Sequence, residues 1–223
     1  LTLTTTGGSI TLDTDIVNLS GNSNGGNIFL TETNALNISG ASTVEDCDFS
    51  DIEDVAISGT WNAGASVVRR NVIRDVHNVG ISWNGNPAGG SALIERNLLH
   101  RIGVRHGYGG SGPWHAAGII VYNGNAVRVR LTRIVDVGYA GVILGEDGTT
   151  VNRNVFVRTM QTLNDGAAVY ANCNGSIITE NIILDVLGDL STSQPWYPLG
   201  HGIWPEFLED FHDQTITDNT IQG

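Results

Sequence analysis

Apolar and polar positions recur along this chain in one form: an apolar residue, two variable ones, a small polar residue, then two apolar residues. Val68-Arg69-Arg70-Asn71-Val72-Ile73 is the fullest copy, continued by Arg74-Asp75-Val76. Six further segments carry the form wholly or in part, around Cys47, Asn97, Thr132, Asn154, Asn181 and Asn219. Successive anchors lie 24, 26, 35, 22, 27 and 38 residues apart. Repetition at a period of a few tens of residues marks a solenoid. The shorter spacings suit one turn of a parallel β-helix with two or three short strands per coil. A second strand follows each anchor and opens on a small residue and an apolar one: Ala56-Ile57, Gly80-Ile81, Gly118-Ile119, Gly141-Val142, Gly166-Ala167 and Gly202-Ile203. These lie 9, 9, 21, 9, 12 and 21 residues beyond their anchors, so every insertion enters the coil at the same place.

The anchor has a physical reason. Asn repeated at one turn of each coil can stack as a ladder whose amides satisfy backbone groups that a bend in a buried strand leaves unpaired. Cys47 and Thr132 put other small polar groups in the column. The glycines opening the second strand are expected to supply the backbone angles of a tight corner. The pattern predicts an all-β fold, one single-stranded parallel β-helix of about nine coils, occupying residues 1–223 as a single domain.

Residues 1–40 differ in texture. Leu1-Thr2-Leu3-Thr4-Thr5-Thr6-Gly7-Gly8-Ser9-Ile10-Thr11-Leu12 and Gly25-Gly26-Asn27-Ile28-Phe29-Leu30-Thr31 alternate apolar and polar residues between Gly-rich turns, a strand pattern with one buried face. This stretch resembles the filamentous-haemagglutinin type of β-helix repeat, and it reads as the coils that start the solenoid. Residues 41–223 resemble the right-handed parallel β-helix repeat, or pectate-lyase-like, superfamily. The right hand is what that resemblance implies, as is a role in binding, cleaving or displaying polysaccharides.

Composition narrows the partners. The net charge is −12 and all 11 basic residues are Arg. Such a chain has no phosphate-neutralising surface for nucleic acid. It suits a secreted or cell-surface protein. No apolar run approaches the roughly 18 residues of a membrane span. Cys47 and Cys173 fall several coils apart, beyond disulfide reach, and are expected as free thiols. A chain that opens on Leu1 reads as processed or excised from a longer one.

The insertions, near 103–117, 160–165 and 187–201, concentrate the candidate chemistry. Loops leaving one corner of stacked coils should wall a groove beside the second strands. Trp114, His115, Trp196 and Tyr197 lie in these loops, and Tyr122, Tyr170 and Trp204 follow in the second strands. Flat aromatic faces in an acidic groove suit sugar rings; the same residues could equally cover small cores of the loops' own. Asp165 and His201 both directly precede a second-strand Gly. On adjacent coils their Cα atoms would lie roughly 5 Å apart, where a carboxylate raises and orients an imidazole. Glu206 is expected near Tyr170, one coil away.

Asn164-Asp165-Gly166-Ala167 and Gly200-His201-Gly202-Ile203 resemble the Asp-Asp and Gly-His-Gly segments of the polygalacturonases, glycoside hydrolase family 28. The chain departs from that pattern in Asn164, in Ala140 where the family has a further Asp, and in lacking an Arg-Ile-Lys segment. Asp165-Gly166-Ala167-Ala168-Val169-Tyr170 is similar to a stretch of the β-helix hydrolases of glycoside hydrolase family 141. That resemblance implies Asp165 as one catalytic carboxylate. Glu206, opening the acidic run after the last second strand, is the choice for the other, with His201 as an orienting or sugar-binding group. Two carboxylates in different surroundings could act as acid and base on a polysaccharide or cell-surface glycan.

Two further readings stand beside this one. A non-catalytic adhesin or structural solenoid could bind surfaces or glycans, or stack end to end through uncapped strand edges. A polysaccharide lyase would need an Arg base, since the chain has no Lys; Arg101 and Arg105 lie nearest the first insertion. No cofactor is required. Asp13-Thr14-Asp15 and Glu146-Asp147-Gly148 offer oxygen ligands for Ca²⁺, but neither supplies a full set, and both read first as turns.

Overall fold

The computed structural model describes residues 2–6, 10–13, 20–24, 28–31, 36–38, 43–59, 65–84, 91–108, 114–123, 126–186, 188, 200–206 and 212–223. Every strand pairing in it is parallel, and the strands stack into three long sheets, so the chain is a parallel β-helix. Sheet 1 has nine strands: β2 (Ile10–Asp13), β4 (Ile28–Thr31), β7 (Asp48–Ile52), β10 (Val72–Val76), β13 (Leu98–Ile102), β16 (Arg133–Val137), β19 (Val155–Val157), β22 (Ile182–Leu184) and β25 (Thr220–Gln222). Sheet 2 has seven: β5 (Leu36–Ile38), β8 (Val55–Gly59), β11 (Val79–Asn84), β14 (Ile119–Asn123), β17 (Val142–Leu144), β20 (Gly166–Ala171) and β23 (Gly200–Pro205). Sheet 3 also has seven: β6 (Thr43–Glu45), β9 (Ser66–Arg69), β12 (Ala92–Glu95), β15 (Arg128–Arg130), β18 (Thr150–Asn152), β21 (Ile177–Thr179) and β24 (Thr215–Thr217). The remaining strands, β1 (Thr2–Thr6) and β3 (Ser20–Asn24), pair with each other. The count of about nine coils is reached only in sheet 1, which β2 and β4 extend; about seven coils use all three sheets. The N-terminal strands join the same stack, β4 on β7 and β5 on β8.

The anchor column forms the expected ladder inside the solenoid. The Asn97 side-chain oxygen accepts from the Asn71 backbone N–H at 3.0 Å and from the Asn71 side-chain amide at 3.1 Å. The Asn97 amide donates back to the Val68 carbonyl at 2.9 Å. Asn154, Asn181 and Asn219 repeat this rung by rung. Thr132 interrupts the ladder: its hydroxyl accepts a long 3.4 Å bond from the Asn97 N–H and donates to its own coil at the Arg130 carbonyl. Above and below, apolar side chains stack in register, as in Phe49, Ile73, Leu99, Ile134, Phe156 and Ile183 of sheet 1, all buried. Cys47 and Cys173 are buried thiols that form no disulfide, as their separation required.

The corners are made differently from the sequence expectation. Left-handed backbone recurs at two places in the coil, one just before the anchor and one four residues after it. The first column runs Asp46, Arg70, Arg96, Leu131, Arg153, Glu180 and Asp218; the second runs Asp51, Asp75, Arg101, Asp136, Arg158 and Asp185. Asp tolerates this conformation better than most residues, and the Arg side chains there offset its cost by reaching across coils. Arg70 binds Asp46, Arg101 binds Asp75, Arg153 binds Glu180 and Arg158 binds Asp136. Gly80, Gly118, Gly141 and Gly202 do not have positive φ. They are glycine because a Cβ would have no room: at Gly141 it would meet Phe156 Cδ1 at 2.5 Å and the Ala168 carbonyl oxygen at 2.8 Å.

All three insertions leave from the same corner, between sheet 1 and sheet 2, as predicted. Ala116 and Ala117 of the first insertion and Met160 of the second join Ile120, Tyr139, Ile143, Val79 and Ala140 in a second apolar cluster on the outside of sheet 2.

Candidate functional site

The outer face of sheet 2 gathers most of the candidate residues. Its register pairs Ile120 with Ile143, Ile143 with Tyr170, and Tyr170 with Trp204. Side chains in this column point away from the solenoid interior because their neighbours in sequence, Val169 and Ile203 among them, pack against the interior core. Tyr170 and Trp204 are thus cross-strand neighbours on one patch. The Tyr170 hydroxyl donates to Glu206 Oε2, as its expected nearness required. The His201 ring lies 4.4 Å from the Trp204 ring, centroid to centroid.

Asp165 reaches the same patch from the second insertion. It is exposed and left-handed, with φ of 63°. Tyr139 fixes its backbone: the phenol donates to the Asp165 carbonyl at 2.7 Å, and the ring lies where a Cβ on Gly166 would be, 2.5 Å from that position. Burial pushes the Tyr139 phenol up to about 12, and the negative charges of Asp165 and Glu206 add to the shift. Tyr170 is also raised, first by burial, then by its bond to Glu206. Both phenols therefore stay protonated as hydrogen-bond donors through neutral pH.

Sequence reasoning passed over Tyr139. Its signal was its place beside Ala140 at the corner that carries Asp165 and His201, combined with a glycine in the next coil leaving space for a ring.

The expected Asp165–His201 pair is corrected. The register sets His201 opposite Ala167, with Gly200 opposite Gly166, so His201 lies two positions further along the strand from Asp165 than the column reading placed it. The column continuing Gly141 runs through Ala168, not Gly166. A two-residue slip returns every side chain to its own face, and Gly166-Ala167-Ala168 offers three small residues that could open the strand.

Trp114 and Tyr122 stack on each other with centroids 5.2 Å apart and planes 25° from parallel. The Trp114 ring also covers Gly145. One face of each ring is therefore occupied by the protein itself, and burial raises the Tyr122 phenol. This is the loop-core role that stood beside the sugar-platform reading. His115 is half-buried on the same loop. Trp196 and Tyr197 lie outside the described residues.

Other candidates find structural work. Arg101 is paired with Asp75, and Arg105 bonds His77 Nε2 at 3.0 Å while lying over the Tyr108 ring. Asp147 closes a turn, accepting from the Asn174 backbone N–H of the next coil at 2.7 Å. Its neighbour Glu146 is raised by burial and then by the Asp147 charge. Among the described residues no group of three or more His, Cys, Asp or Glu side chains is placed to hold a metal ion. No protein-family model, curated protein or solved structure matches this chain.

Proposed function

We propose that the chain is a secreted or cell-surface carbohydrate-active protein of the right-handed, pectate-lyase-like kind, hydrolysing a polysaccharide on the outer face of sheet 2. The observation that carries this reading is the bond from the Tyr170 hydroxyl to Glu206 beside Trp204 on the outer face of sheet 2, with the Asp165 backbone held at the neighbouring corner by the Tyr139 phenol. Glycoside hydrolysis needs two carboxyl groups in unlike surroundings flanking one bond. Glu206 is half-buried and accepts from a neutral phenol, whereas Asp165 stands exposed at the edge of the patch, so the two carboxyl groups lie in unlike surroundings and would divide the acid and base roles between them. Trp204 and His201 offer ring faces beside Glu206 for the sugar.

The test is reducing-sugar release from a panel of neutral and acidic polysaccharides, comparing wild type with Asp165→Asn and Glu206→Gln. Release by wild type, cut at least a hundredfold in both variants, supports the hydrolase. Ultraviolet absorbance from unsaturated products would instead indicate lyase chemistry. A second reading, a non-catalytic glycan-binding or structural solenoid, is favoured by the self-packed Trp114–Tyr122 pair. Binding without release, or neither, would make it the better one.

A further inference from the structure

Parallel sheets are normally covered on both faces, yet the outside of sheet 1 is open from β13 to β22, an aliphatic strip crossed by His100 and the exposed Arg133. Leu98 is 36% exposed and Ile182 43%. Val155, Val157 and Leu184 are half-buried between them. The strip is bordered by the two left-handed corner columns, and these carry charge in a graded order. At the coil of β13 the borders are Arg96 and Arg101; at the coil of β22 they are Glu180 and Asp185. Between them, Asp136 and Arg158 border β16 and β19 on one side. Arg96 makes no ion pair among the described residues, whereas the other central corner arginines each have one.

This order is self-complementary under one rotation. A two-fold axis lying along the strands, midway between β16 and β19, sets β13 over the partner's β22 and β16 over the partner's β19. Leu98 then meets the partner's Ile182 and the largely buried Val135 the partner's Val157, while Arg133 lies over the partner's Val155 and His100 over the partner's Leu184. Along the borders, Arg96 faces the partner's Glu180, Arg101 faces the partner's Asp185, and Arg158 faces the partner's Asp136. A two-fold axis along the solenoid would do the opposite. It would set Arg96 on Arg101, Arg153 on Arg158 and Glu180 on Asp185, like charge on like.

We propose that the outer face of sheet 1 pairs two copies of this chain side by side with their coil order reversed. Four strands three to five residues long, about 4.8 Å apart, give a flat contact of roughly 250 Å² per copy. Stable interfaces bury about 800 Å² per partner. The dimer is therefore weak, and its register is set by the border charges rather than by area.

Sedimentation velocity on the full chain across a concentration series tests this. Wild type should show a dimer whose fraction rises with concentration and falls with added salt. Arg96→Glu and Glu180→Arg should each weaken it at least tenfold, because each places like charges at both symmetry-related contacts. Arg96→Glu uses a residue type the corner column already holds, so its circular dichroism and melting should be unchanged; Glu180→Arg also gives up the Arg153 ion pair, so unchanged circular dichroism with a lower melting temperature is expected. Mixing the two variants should restore dimer, since every contact in the heterodimer again joins opposite charges. A wild type that stays monomeric throughout would overturn the proposal. So would a mixture that stays monomeric, or an association that both variants leave untouched.

Discussion

At the scale of single residues the ladder decides most. Asn154 donates to the Val129 carbonyl and to Asn181, and accepts from the Thr132 N–H. Asn154→Ala strands two buried backbone groups and should cost about 3 kcal/mol in a denaturant melt, at about 1–3 kcal/mol for each unpaired group. Thr132 is the rung that does not reach. Thr132→Asn would let the side chain donate to the Ile94 carbonyl, the place that the Val68 and Val129 carbonyls hold in other rungs. It should stabilise the chain by about 1 kcal/mol, and a destabilised variant would count against the ladder as the reason for the anchor. A second residue, Asp136, sets an acid limit. Its carboxyl, ordinarily at 3.8, is held down to about 2, first by the hydrogen bond from Arg158 and then by Gln161 and the charges of Arg158 and His100. A folded value below the unfolded one stabilises fully above about pH 4, and that stability is lost as pH falls toward 2. Arg158→Gln should therefore be less stable than wild type by a constant margin above pH 4, with the margin closing by pH 2. A margin that is the same at every pH would sink this account.

At the scale of elements, what the sequence revealed and what it hid follow from one property of strands. The anchors were legible because Asn is needed where a bend leaves buried backbone unpaired, and no other residue repeats that pattern so well. The insertions were legible because they lengthen one interval and leave the others alone. The corners were not, because Asp, Arg and Glu occupy the left-handed positions where glycine would have been a plain signal. The register of β20 was hidden too, since alternation repeats every two residues and cannot distinguish Gly166 from Ala168 as the strand's opening. The same ambiguity put His201 beside Asp165 on paper while the structure seats it opposite Ala167. Tyr170 and Glu206 were brought together correctly, because a two-residue error still leaves both on the outer face. The second-strand glycines were found for the wrong reason, and a substitution separates the two. Gly141→Ala should lower stability by about 1–3 kcal/mol through overpacking, because Phe156 and the Ala168 carbonyl have no free space to yield. A φ-based role would predict the same for any small L-residue at every coil, but Ala168 holds a buried methyl in the same column.

At the scale of the whole molecule, a solenoid of three sheets has three outer faces that answer to different demands. Each strand pairs only with its neighbours in the stack, so the faces are linked through the shared coils but need not exchange residues. Sheet 2 carries the insertions, the neutral phenols and the carboxylates Asp165 and Glu206. Sheet 1 carries an open aliphatic strip, crossed by His100 and Arg133, between charged borders. A net charge of −12 would by itself keep copies apart. Five of the eleven arginines stand at the corners bordering sheet 1, while Arg105, beside the sheet 2 loops, is held by His77 and Tyr108. Pairing through sheet 1 thus leaves the sheet 2 face of each copy clear for a long chain-like ligand. The two proposals should then be independent in practice. Asp165→Asn should sediment like wild type at every concentration while losing sugar release. Arg96→Glu should lose the dimer while keeping the wild-type rate per chain to within about twofold, since distant and unshared sites act additively. If Arg96→Glu lost both, the partner copy would be completing the site, and the carboxylate pair on sheet 2 would not be sufficient on its own.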